Sequence, residues 1–191
     1  MLLSIDPGIN NCGLAVIDYE KDFTVLETFN VNNARKFTPE EKEVESVFGL
    51  RVVKVNFILH HVNRLLKAYP GIDHVTIEAP FYNALTPMAY GSLLEVISAI
   101  KYSVLIPSGL TCSMAEPLLV KRIFINVKLG KDLKKKEAMR MFLVKKVDAG
   151  EIVLKVETDS LSEHEIDAIA VGYTRVISML LAAQDAALVA T

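Results

Sequence analysis

The most constraining stretch of this chain is its beginning. Leu2-Leu3-Ser4-Ile5 is an apolar run that ends on one carboxylate, Asp6, and Pro7-Gly8 follows at once. Proline fixes φ and has no backbone N–H, so a strand that reaches Asp6 must stop there. Gly8 and Asn10-Asn11 supply turn chemistry, and a second apolar run, Gly13-Leu14-Ala15-Val16-Ile17, comes next. The pattern predicts two antiparallel strands with Asp6 at the carboxyl end of the first. Open α/β sheets place ligand sites at such ends. Asp-Pro-Gly is also ordinary turn chemistry, so Asp6 alone does not decide between a site and a cap.

The rest of the chain supplies partners for that strand. Residues 1–6, 11–18 and 23–32 read as three strands of a meander. Thr38-Pro39-Glu40-Glu41 is a capping box with proline at the first helical position. It predicts a helix from about 39 to 69, broken near Gly49 and stopped by Pro70-Gly71, with Val52, Val55, Ile58, Val62 and Leu65 on its buried face. His74-Val75-Thr76-Ile77-Glu78 then repeats the opening pattern: a short β-rich run, a terminal carboxylate, and Pro80 just beyond. A helix from 87 to about 104, a strand near 109–114, and helices at 117–126 and 134–148 are predicted next. Ser162 and Glu165 form a second capping box, with Leu161 and Ile166 as its hydrophobic staple. The helix they open buries a face running from Ile166 through Ile169, Tyr173 and Val176 to Leu180 and Leu181. His164 and Asp167, three residues apart, are neighbours on its first turns.

This element order predicts one domain over residues 1–191, with Asp6 and Glu78 ending adjacent parallel strands. Asp167, at the start of a covering helix, is the third acidic position. Carboxylates brought so close repel unless a cation intervenes. Mg²⁺ is held by one or two carboxylates together with substrate phosphate, and two such ions can stabilise both oxygens of a phosphodiester displacement. Charge patterning agrees. The chain carries a net charge of −2, yet Lys121 to Lys146 holds ten basic residues against Asp132 and Glu137, a local net of +8. A basic stripe beside an acidic cluster suits a phosphate backbone.

Three blocks carry a family resemblance. Ile5-Asp6-Pro7-Gly8 with Gly13-Leu14-Ala15-Val16-Ile17, then Ile77-Glu78-Ala79-Pro80-Phe81, then His164-Glu165-Ile166-Asp167-Ala168-Ile169-Ala170 resemble the RuvC family of Holliday-junction resolvases. That resemblance implies an α/β, RNase H-like fold: a mixed five-stranded sheet, three strands antiparallel and then two parallel, flanked by helices. It implies a Mg²⁺-dependent endonuclease, with Mn²⁺ able to substitute and two ions per active site. Asp6, Glu78 and Asp167 would be the catalytic metal ligands. His164 would be a fourth ligand or a proton handler, with Glu163 as the alternative fourth ligand. Phe81 falls where the family wedges an aromatic against bases. Lys121 and one of Lys134, Lys135 and Lys136 match its phosphate-contacting lysines. Tyr90-Gly91 lies in the helix used for homodimer contact, and the DNA partner would be a four-way junction or other branched DNA.

The chain departs from the family in its net negative charge, in a longer loop after the third strand, and in the segment 182–191. A divergent, phage-type branch fits those departures, and the expected setting is the cytoplasm of a bacterial or phage-infected cell. The start of the chain lacks the basic segment of a signal peptide. No uninterrupted apolar run reaches the roughly 18–20 residues that span a bilayer, and no membrane partner is expected. Cys12 and Cys112 match no zinc or redox spacing and read as reduced core thiols. Two other functions share parts of the pattern: an actin- or sugar-kinase-like nucleotide-binding domain, and an RNase H-like DNA-binding module without activity.

Overall fold

A computed structural model describes residues 1–20, 22–82, 84, 85, 87–125 and 135–189. The hairpin forms as the sequence predicts: β1 (Leu2–Asp6) pairs antiparallel with β2 (Asn11–Asp18), and β2 with β3 (Thr24–Asn32). Thr38 caps α1 (Pro39–Phe48) in a complete capping box. Gly49, at φ 86°, separates α1 from α2 (Leu50–Ala68). β4 (His74–Glu78) lies parallel to β1, and β5 (Thr111–Ala115) parallel to β4. Between them α3 (Pro87–Ile100) runs on through a π-helical turn, Lys101–Leu105, into the short α4 (Ile106–Ser108). Then follow α5 (Pro117–Ile125), α6 (Lys135–Asp148), β6 (Val153–Leu154) and α7 (Glu163–Val189).

The sheet has the order β5-β4-β1-β2-β3-β6. Among the described residues it therefore has six strands, where five were expected. The addition is two residues long and sits parallel on β3, held by Val153 N–H to Phe23 O (2.9 Å) and Lys155 N–H to Val25 O (3.0 Å). A pair so short carries no periodicity of its own.

Strand alternation sorts the core into two layers. Leu3, Ile5, Val75 and Ile77 pack with α2 and α3 on one face. Leu2, Ala15, Ile17 and Val25 pack with α5, α6 and α7 on the other. The buried face of α2 uses Val53, Val55, Ile58, Val62 and Leu65, so Val53 replaces the expected Val52. α7 lies across β1, β2 and β4. Ser4 Oγ donates to Ala168 O at 2.5 Å in the buried seam, and Thr28 Oγ1 donates to Glu165 Oε1 at 2.8 Å. Leu180 and Leu181 are 55% and 53% exposed, contrary to expectation, because α7 outruns the layer it covers. Cys112 is exposed rather than buried, since β5 is an edge strand, whereas Cys12 is in the core. Two helical stretches, Pro87–Ser108 and Glu163–Leu188, are long and apolar enough by composition to cross a bilayer. That corrects the reading from uninterrupted runs, because a few scattered polar residues break a run without lowering overall apolarity. Half of the second stretch is buried, its apolar face packed on the sheet.

His61 offers a test of the α2 layer. Its ring stacks on Phe29 (centroids 4.4 Å) and meets Phe57 edge-on (4.6 Å). Burial first, then the charges of His60, Arg64 and Arg35, hold its pKa down to about 4. The unfolded chain takes up this proton near pH 6.5, the folded chain only near 4. Stability is therefore present above 6.5 and lost as pH falls through that window. His61→Phe keeps an apolar ring and removes the titration. It is expected to reduce the drop in Tm between pH 6.5 and 4 by a few degrees. An unchanged drop would exclude His61 from the acid response.

Candidate active site

The same alternation places the acidic residues. Leu2, Ser4 and Asp6 share one face of β1; His74, Thr76 and Glu78 share the corresponding face of β4. Leu2 packs in the layer of α7, and Ser4 bonds to its backbone, so Asp6 turns toward the same helix. The parallel register runs from Leu2↔His74 to Ile5↔Ile77, which sets Asp6 beside Glu78 at the carboxyl edge. Pro7 ends the first strand and Ala79-Pro80 the second, so both carboxylates stand where the ladder stops.

The start of α7 closes the third side. Its capping box is complete: Ser162 N–H donates to Glu165 Oε2 (2.8 Å) and Glu165 N–H to Ser162 Oγ (3.3 Å). Glu165 is thereby committed to structure, as the sequence suggests. The cap fixes where the first turn begins, and His164 and Asp167 project from it. His164 Nδ1 lies 2.8 Å from Asp6 Oδ2, with Asp6 only 9% exposed. That hydrogen bond, more than partial burial opposes, raises the His164 pKa, and the charges of Asp6, Glu163 and Asp167 add to the effect. Asp167 lines a cleft of about 60 Å³ together with Glu78, Phe81, Pro117, Val120, Lys121 and Met139.

The structure thus gathers Asp6, Glu78, His164 and Asp167 at one edge of the sheet, with Phe81 and Lys121 on the rim of the same cleft. Lys134 lies outside the described residues, and so do the side chains of Lys135 and Lys136. Among the described residues, no three His, Cys, Asp or Glu side chains form a ready-made metal cage. The donor set is nevertheless the one a hard divalent ion takes: carboxylate oxygens with an imidazole beside them.

Two wider cavities flank this cleft. One, of about 400 Å³, lies between the β1–β2 turn (Gly8–Asn11), α3 and His164. The other, of about 460 Å³, shares Phe81, Pro117 and Lys121 with the cleft. Sequence reasoning missed the seat of α7 at Gly13 and passed over one motif outside the acidic cleft. Gly13, opposite Asp6 in the ladder, is where α7 touches the sheet: a Cβ there would lie 1.9 Å from His164 O. Glu116-Pro117, directly after β5, repeats the carboxylate-then-proline pattern seen after β1 and β4; that signal was legible.

No protein-family model matches the chain, and no curated protein sequence matches it. Solved structures do match. The chain is similar to Thermus thermophilus RuvC in complex with Holliday junction substrate, at 19% identity over 91% of this chain and 90% of that one, with a TM-score of 0.59. It is similar to the yeast mitochondrial Holliday junction resolvase at 13% identity, covering 96% and 83%, with a TM-score of 0.59. The fowlpox virus resolvase with its substrate Holliday junction DNA follows at 14% identity, 93% and 99%, and 0.54. The fold expected from the sequence is therefore the fold found, a mixed sheet flanked by helices and shared with these resolvases.

Proposed function

We propose that this chain is a structure-specific DNA endonuclease that resolves four-way junctions by divalent-metal-dependent phosphodiester hydrolysis. The observation that carries the reading is the convergence of Asp6 and Glu78, from adjacent parallel strands, on the first turns of α7, where His164 and Asp167 stand. The same architecture occurs in proteins solved with junction DNA.

Asp6, Glu78 and Asp167 would hold Mg²⁺, or Mn²⁺ in its place, with two ions bound together with the scissile phosphate. Bound ions of this kind supply charge stabilisation to the attacking and leaving oxygens. The chain's own residues do the rest. Lys121 and the basic stretch that follows it hold the phosphate backbone, an attraction that weakens with salt. His164 Nδ1, 2.8 Å from Asp6 Oδ2, anchors that carboxylate at the mouth of the site. Phe81, 57% exposed beside Glu78, offers a ring face to a base near the cut. A homodimer would set two such sites on a two-fold-symmetric junction.

The deciding experiment uses a labelled four-way junction, with linear duplex and RNA–DNA hybrid as controls. Paired nicks in the junction are expected with Mg²⁺ or Mn²⁺ and none with EDTA. Linear duplex should be cut at least about a hundredfold more slowly than the junction, a gap of about 2.7 kcal/mol in the barrier. Junction binding without cutting in any divalent ion would reduce the chain to a binding module.

A further inference from the structure

We propose that the cavity beside the cleft receives one unstacked base of the bound strand, and that Glu116 selects guanine there; this rests on the nuclease reading above. The cavity, about 460 Å³, falls in the size range of small-ligand sites. Its walls are flat and apolar: Pro80, Phe81, Pro117 and Leu118. Phe81 and Leu118 are 57% and 75% exposed, large apolar side chains left open at the edge of a charged cleft. Apolar walls running into a carboxylate-and-lysine cleft suit a ligand with a flat hydrophobic end and an anionic end. A nucleotide is such a ligand, its base lying against aromatic and aliphatic walls. The cavity and the cleft share Phe81, Pro117 and Lys121, so a base held in the first belongs to a nucleotide next to the cut.

Glu116 is the acceptor at the rim. Its backbone O opens α5 by accepting from Val120 N–H (2.9 Å). Its side chain is exposed, lines the cavity, and makes no hydrogen bond among the described residues. A carboxylate accepts from base amino and imino groups. Guanine presents N1–H and N2–H side by side, so both oxygens of Glu116 can be used. Thymine offers a single N3–H between two carbonyl oxygens that a carboxylate repels.

The test uses a set of junctions carrying A, C, G or T at each of three positions on either side of the cut, with inosine as a guanine lacking the N2 amino group. At one position the wild-type protein is expected to cut the guanine junction about tenfold faster than the thymine junction, with inosine between. Glu116→Gln should shrink the guanine-to-thymine ratio below about threefold while the thymine rate stays unchanged. Equal cutting of all four bases at every position, or an undiminished guanine preference in Glu116→Gln, would overturn the proposal. A second arm needs no cutting: 2-aminopurine placed at the six positions in turn, with protein and EDTA. Fluorescence at one position should rise severalfold with wild type and less with Leu118→Ser. No rise at any position overturns the base cavity whatever the cleavage result, whereas a rise without cleavage in Mg²⁺ condemns the nuclease reading alone.

Discussion

Asp6→Asn is expected to abolish junction cleavage, by at least about 10³-fold or about 4 kcal/mol of barrier, while metal-free junction binding stays within about twofold of wild type. The substitution keeps size and shape at the end of β1, and the ladder pairing of residue 6 with Gly13 is made by backbone. What changes is one negative charge at a position 9% exposed, between the register neighbour Glu78 and the ring of His164. An amide is a far poorer ligand for a hard cation than a carboxylate, so the loss falls on ion binding. Phosphate contacts dominate DNA affinity, and Asn leaves those intact. The fold should survive as well, because removing one of several crowded carboxylates relieves repulsion. Thermal melts separate these effects. Wild-type Tm is expected to rise with millimolar Mn²⁺, because an ion that binds only the folded chain stabilises it, and Asp6→Asn should lose most of that rise at an unchanged Tm in EDTA. Cleavage at the wild-type rate by a folded Asp6→Asn protein would remove Asp6, and with it this whole edge of the sheet, from the chemistry.

The placement of the acidic residues was partly legible in the sequence, for a physical reason. Strand ends marked by Asp6-Pro7 and Glu78-Ala79-Pro80 are local signals, because proline acts on its own neighbours. The capping boxes Thr38–Glu41 and Ser162–Glu165 are equally local, and both formed. In the folded sheet, counting by twos from Leu2 and His74 puts both carboxylates on the α7 face. What escaped are features decided by distant partners. β6 exists only because β3 offers an edge to Val153 and Lys155. Leu180 and Leu181 follow the apolar period of α7 faithfully, yet the sheet ends before they reach it. Periodicity identifies the face a helix would bury, but the length of its partner decides how much of that face is buried.

Gly13 belongs to the same class of long-range feature, and it carries the largest stability effect expected of any single methyl group added here. Gly13→Ala should lower Tm by about 3–10 °C, from about 1–3 kcal/mol of overpacking in a protein of this size. Cleavage should fall about 10²-fold, because that is the usual cost of displacing a catalytic group by an ångström. The added Cβ would lie 1.9 Å from His164 O and 2.4 Å from His164 C. Those are backbone atoms of a helix start fixed by its capping box, so no side chain can swing aside and the first turn of α7 must lift. Lifting it separates His164 from Asp6 and withdraws Asp167 from Glu78. Gly172, further along α7, meets side chains instead: a Cβ there would lie 2.2 Å from Ile17 Cδ1, 2.9 Å from Ser4 Oγ and 3.1 Å from Ser4 Cβ, and Ser4 is held in the buried seam by its bond to Ala168 O. Gly91 is the control, since a Cβ there meets nothing within 4 Å and alanine favours a helix interior by about 0.5–1 kcal/mol. Gly91→Ala should melt at or slightly above wild type; its readout is the melt alone, because Gly91 lies in the helix expected to contact a second copy. If Gly13→Ala melted like Gly91→Ala and cut like wild type, α7 could not be seated on β2 as described, and His164 and Asp167 would have no fixed place beside the strand ends.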